Sequence, residues 1–226
     1  MEQQKPYVIG VDLGGTNTVF GIVDARGQIV AENSVKTQAY RTAHDFFDAC
    51  MVCLNPLIQQ VGGLDNIAGM GIGAPNANYY SGCIEMAANI CWAHCVNVPL
   101  AKMFSDALGG LPVRITNDAN AAAMGEMAYG AARGMKNFIV ITLGTGVGSG
   151  IVINGQVVYG HDGFAGELGH VTMVRGSQGR QCGCGRTGCL EAYCSATGVA
   201  RTAREILSTT DRPSLLRNKP AEQIES

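Results

Sequence analysis

His170, Cys182, Cys184 and Cys189 lie close together in a glycine-rich stretch of the chain. Three thiols and an imidazole suit a soft, tetrahedral divalent ion, and together they supply the four ligands of a closed structural zinc site. Gly183, Gly185 and Gly188 between them free the backbone to wrap an ion. The competing reading is a loop of reduced cysteines without a metal. Glu167 and Glu191 each stand within three positions of a candidate ligand. A metal scaffold would hold both without including them, and two such carboxylates can be aimed at one polyhydroxylated substrate. A lone glutamate is more often a solvated surface residue, but two flanking one metal loop favour the functional reading.

A second kind of chemistry sits in two glycine turns. Asp12-Leu13-Gly14-Gly15-Thr16-Asn17 closes an apolar strand, Tyr7 to Leu13, and opens a hairpin of strands at Val19 to Val23 and Gln28 to Glu32. Glycines let backbone approach a phosphate, Thr16 and Asn17 add polar donors, and Asp12 suits Mg²⁺ directly or through water. Taken alone, an ordinary glycine hairpin explains the turn equally well. However, a strand at Phe138 to Leu143 runs into Gly144-Thr145-Gly146, and Gly150-Ile151-Val152 with its following turn and Gly-Gln repeats the pattern from Gly21. The chain therefore reads as an internal duplication whose two turns can clamp a triphosphate.

Between the copies, Ile67 to Gly73 and Val113 to Thr116 read as buried strands, and Arg41 to Val61 as a helix that Pro56 should kink or break. The second strand leads into Asn117-Asp118 and an alanine-rich helix. Asp118 is either a cap or, kept ionised by the helix dipole, a base for a sugar hydroxyl. Asn89 is either a turn residue or a donor to a hydroxylated substrate. Cys91-Trp92-Ala93-His94-Cys95 reads as packing around the only tryptophan, and Ser195 as the cap of a helix from Ala196 to Leu207.

Composition bounds the rest. The 226 residues suffice for two lobes, and 15% charged residues with a net charge of -2 leave no basic surface for nucleic acid. No signal peptide or membrane-length apolar run is present, and nine cysteines form a poor disulfide framework. A cytoplasmic protein in a reducing compartment is expected.

These four motifs, in this order, resemble the ROK family of bacterial sugar kinases within the actin, Hsp70 and hexokinase superfamily. The resemblance implies an α/β, RNase H-like duplicated fold of two lobes around a cleft, residues 1–117 and 118–226, with the second lobe incomplete. It implies phosphorylation of a hexose at its 6-hydroxyl by ATP and Mg²⁺. Asp118 would be the base, with Asn89, Asn117, Glu167, His170 and Glu191 on the sugar. Asp12, Gly14, Gly15, Thr16, Asn17, Gly144, Thr145 and Gly146 would serve the nucleotide phosphates. His170, Cys182, Cys184 and Cys189 would hold structural Zn²⁺. The cysteine spacing looks like the glucokinase and N-acetylhexosamine kinase branches, so glucose is the leading sugar, with N-acetylglucosamine, N-acetylmannosamine and allose as alternatives. Family members form dimers or tetramers. They continue into a glycine-rich adenosine turn and a terminal helix, so the chain is expected to be a fragment, and a non-catalytic sugar-binding remnant is the rival reading. The related sugar-sensing repressors carry an N-terminal DNA-binding unit, for which a first strand at Tyr7 leaves no room.

Overall fold

Residues 5–225 are described by a computed structural model. Strand β1 (Tyr7–Leu13) buries Ile9, Val11 and Leu13 on one face. Strands β2 (Asn17–Asp24) and β3 (Ile29–Lys36) fold back from it as an antiparallel meander, the Asp24 carboxylate accepting the Arg26 and Gln28 amides at the turn. Helix α1 (Ala43–Gln60) crosses to β4 (Ile67–Gly73), which pairs parallel with β1. A small antiparallel sheet of β5 (Ala77–Asn78), β6 (Cys83–Glu85) and β7 (Asn97–Val98) then precedes α2 (Leu100–Ala107). Strand β8 (Val113–Thr116) completes the main sheet, ordered β3-β2-β1-β4-β8.

Helix α3 (Asp118–Tyr129) leads to a second meander of β9 (Phe138–Leu143), β10 (Val147–Ile153) and β11 (Gln156–Val157). Strand, glycine turn, antiparallel strand and third strand recur in the order of β1 to β3, as the repeated sequence pattern predicts. The cysteine loop follows, then short α4 (Glu191–Cys194) and α5 (Ala196–Thr209), whose cap Ser195 accepts the Gly198 amide as expected. Among the described residues, no helix is long and apolar enough to cross a membrane.

The main core lies between the five-stranded sheet and α1 and α2. Phe20, Phe46, Leu54 and Phe104 are fully buried there, and Phe46 stacks on Trp92 at 4.3 Å between ring centroids. The Trp92 indole donates to the Thr37 carbonyl, so the Cys91–Cys95 segment is packed around its tryptophan. Its cysteines and His94 do not converge, and the one metal-competent cluster among the described residues is the His170 set. Pro56 breaks nothing, because α1 runs through it as one 18-residue helix. Pro56 lies on the exposed face, where the Val52 carbonyl left without its amide partner is open to water, while Cys53, Leu54, Leu57 and Ile58 stay buried.

The chain that follows β11 is also tied back to the small β5-β6-β7 sheet, away from α3. Asn78 donates to the Asp162 carbonyl, the Tyr80 hydroxyl donates to the Gly160 carbonyl, and Tyr79 stacks on Tyr159 at 4.2 Å. Replacing Phe46 with Ala would empty the space beneath Trp92 and should cost about 3–5 kcal/mol in urea unfolding. A loss below about 1 kcal/mol would show that this aromatic stack is not a keystone of the core.

Candidate active site and metal loop

Asn117 is the N-cap of α3, and its side chain accepts the Ala119 amide together with the Asp118 carboxylate. Asp118 thus sits in the first turn, at the positive end of the helix dipole, and its exposed side chain lines the groove. Asp12, the last residue but one of β1, lies near it at the register position opposite Val19. Burial pushes the Asp12 carboxyl up from its ordinary value, and the neighbouring Asp118 charge pushes it further. A groove of about 910 Å³ runs from these two carboxylates past Thr116, Tyr79 and Tyr159 along the open face of the main sheet.

Glu167 opens a 3₁₀ turn, Leu168–His170, and stands near enough to Asp118 for their charges to interact. Its pKa is raised by burial, lowered by His170, and raised again by Asp118 and Glu191. That single carboxylate therefore feels three of the groups singled out by sequence. Glu191, in the first turn of α4, reaches across to the second glycine turn. Its carboxylate accepts the Val147 amide at 3.0 Å and receives the Cys182 thiol on its other oxygen at 3.6 Å. One residue thus ties the cysteine loop to the second glycine turn.

The four proposed ligand atoms lie within 4.8 Å of one another. The Cys184 and Cys189 sulfurs are 3.7 Å apart, as are the Cys182 sulfur and His170 Nδ1. An ion about 2.3 Å from each sulfur in a tetrahedron sets neighbouring sulfurs roughly 3.8 Å apart, so the cage has the size such an ion needs. Cys184 is lowered to about 6, chiefly by the Arg186 backbone amide, which favours the thiolate that binds metal. Gly188 holds a positive φ of 77°, and a Cβ there would fall 1.7 Å from the Val174 carbonyl oxygen, so the loop closes only around a glycine. With Nδ1 on the side of the Cys182 sulfur, Nε2 is the His170 ring nitrogen left for another partner.

Asn89 stands at the opposite lip, exposed, its side-chain amide 3.9 Å from where a Cβ of Gly15 would be. The first turn also gathers residues that sequence reading passed over. Lys36 donates to the Asn17 side chain at 2.8 Å, and Gln38 reaches both Gly15 and Asn89. Beside the second turn, a polar pocket of about 390 Å³ is lined by Thr145, Gln181, Ser195, Thr197, Arg201 and Arg204. Arg201 is paired with Glu205, whereas the half-buried Arg204 guanidinium meets no acceptor among the described residues. No local motif marks these residues; strand register and helix packing bring them to the turns.

Two sheet units, each opening with a glycine turn toward one carboxylate-lined cleft, define the actin-like ATPase fold, and solved structures bear this out. A ROK glucokinase from Streptomyces griseus, crystallised with glucose and AMPPNP, superposes with a TM-score of 0.71 at 38% identity, covering 90% of this chain and 62% of that one. The ROK family model matches residues 8–224, and the chain belongs to that family. The glucokinase of Halalkalibacterium halodurans is 39% identical over 88% of this chain, and that of Streptomyces coelicolor 40% identical over 89%. The chain spans 59% and 60% of the lengths of those two relatives.

Asp12 supplies a pH signature. Its folded pKa lies above the unfolded value of 3.8, so the native state is favoured below that value and loses the advantage as pH rises through the folded pKa. Asp12→Asn should therefore be at least as stable as the parent at pH 7, by less than about 1 kcal/mol after solvent screening, with the gap closing toward pH 3.8. Urea midpoints across that range test it, and a variant less stable at pH 7 would contradict the sign.

Proposed function

We propose that this chain carries the sugar site and both phosphate turns of an ATP-dependent hexose kinase, with glucose as the sugar. The observation that carries the reading is the closeness of Glu167 to Asp118, His170 and Glu191, with Glu191 accepting the Val147 amide beside the second glycine turn. The family relatives named as glucokinases support the choice of sugar. Residues 1–117 would form one lobe and residues 118–226 the second, closing on substrate.

In this reading Asn89, Asn117, Glu167, His170 and Glu191 take the ring hydroxyls and leave the 6-hydroxyl against Asp118. Phosphoryl transfer has a loose transition state, so alignment and charge stabilisation supply the rate. Asp118 accepts the hydroxyl proton as the bond to phosphorus forms. Gly14, Gly15, Thr16 and Asn17 on one side, and Gly144, Thr145 and Gly146 on the other, offer backbone and side-chain donors to the triphosphate. Lys36 adds a cation at the first turn, and Arg204 with Thr197 adds donors beside the second. Asp12 would hold Mg²⁺, whose charge offsets the phosphates and the neighbouring carboxylates.

Zinc fits the His170, Cys182, Cys184 and Cys189 cage by donor type and size, and it would supply rigidity to the loop carrying Glu167 and Glu191. A reducing cytoplasm would keep these thiols available.

Three measurements test the proposal. Sugar-dependent ADP formation by the 226-residue chain, across glucose, mannose, fructose, allose and the N-acetylhexosamines, should be largest with glucose. Preference for an N-acetylhexosamine would move the substrate to the other branch, and silence from folded, zinc-loaded protein would favour a sugar-binding unit. Asp118→Ala should lower turnover by at least about 10³-fold with sugar affinity changed less than about threefold. Near-normal turnover would remove it from the mechanism. Elemental analysis should find one equivalent of zinc in the parent and none in Cys184→Ser, and the substitution should weaken glucose binding by about tenfold or more, while unchanged affinity would make the metal incidental.

A further inference from the structure

Gln38 lies just beyond β3, on the strap that passes between the first glycine turn and the Asn89 segment. Its amide spends every polar atom on backbone. Nε2 donates to the Gly15 carbonyl at 2.8 Å and to the Asn89 carbonyl at 2.6 Å, and Oε1 accepts the Cys91 amide at 3.1 Å. One exposed side chain therefore fixes a phosphate-turn peptide and both ends of the sugar-side segment.

We propose that Gln38 is a positioning residue that couples sugar binding at Asn89 to phosphate binding at the Gly14–Thr16 turn, an inference that rests on the kinase reading above. The peptide after Gly15 is trans and planar, so holding the Gly15 carbonyl toward Gln38 aims the Thr16 N–H the opposite way. That N–H donates to no protein group among the described residues, which leaves it for a phosphate oxygen. The Asn89 carbonyl is held by the same nitrogen, so any shift of the sugar-side segment tilts the phosphate-turn amide. The turn's own shape does not depend on Gln38. Thr37 donates from its amide to the Thr16 carbonyl and from its hydroxyl to the Gly14 carbonyl, and Trp92 donates to the Thr37 carbonyl. Removing Gln38 should therefore leave the fold intact and cut the communication.

Gln38→Glu separates the two ends of the bridge. It keeps an acceptor for the Cys91 amide and turns both donor bonds into carboxylate-carbonyl repulsions. Gln38→Ala removes all three contacts. Calorimetric titration of the full chain with glucose, without and with Mg-AMPPNP, reads the coupling as the ratio of the two affinities. Coupled sites commonly show about 5- to 150-fold. The parent should fall in that range, and both variants should fall to within about twofold of unity while glucose alone binds within about threefold of the parent.

Hydrogen exchange without ligand reads the other end. The Cys91 amide should exchange about tenfold faster in Gln38→Ala than in the parent, and at near-parent rate in Gln38→Glu. Parent-like coupling in Gln38→Glu, or no coupling in a parent that binds both ligands, would overturn the proposal. Should the parent bind neither ligand, the kinase reading fails with the coupling, whereas the exchange result alone decides whether the bridge exists.

Discussion

Helix α3 touches both sheets at once, and the position of every charged group in the cleft follows from how close it comes. Its alanines make this possible. The Ala121 methyl meets β4 at Gly73, and Ala119 and Ala123 meet β10 at Gly148 and Gly150. At Gly150 an added Cβ would fall 2.7 Å from both the Ala119 carbonyl oxygen and the Ala123 methyl, so larger residues on either surface would lever the helix away. The alanine run after Asp118 is thus a spacing device as well as a helix former. It sets the first turn of α3, and Asp118 with it, in the seam where the two sheets face each other.

That seam concentrates negative charge. Asp12, Asp118, Glu167 and Glu191 all border it, and Asp12 and Glu167 are pushed up by burial and by the Asp118 charge near each of them. Such an arrangement is unfavourable for folding and is held by its surroundings: the α3 dipole behind Asp118, the Val147 amide on Glu191, and the cysteine loop that carries Glu167 and Glu191. Cations and hydroxyl donors relieve it, which is what the proposed metal-nucleotide and sugar would bring.

The parts of this design that could be read from the sequence are those written in contiguous residues. The glycine turns, the cap-and-helix at Asn117 and Asp118, and the cysteine loop each declare themselves within a few positions, and the repeated Gly-Ile-Val pattern foretold the second meander. What escaped reading depends on distant segments meeting. Gln38 touches Asn89 and Cys91, Lys36 reaches Asn17 only through the β2–β3 register, and Arg204 borders Thr145 because α5 folds back on the second turn. Pro56 misled for the opposite reason. Its local cost is real, but the carbonyl it orphans faces water and the buried side of α1 outweighs it.

The contact of Asn78, Tyr79 and Tyr80 with residues 159–162 is the second of two separate places at which the later part of the chain is held to the earlier one, helix α3 being the other. Two attachments set apart restrain a relative rotation that a single one would permit. The groove wall at Tyr79 and Tyr159 is thereby braced from both sides, so its shape is set by the fold and not by whatever occupies it.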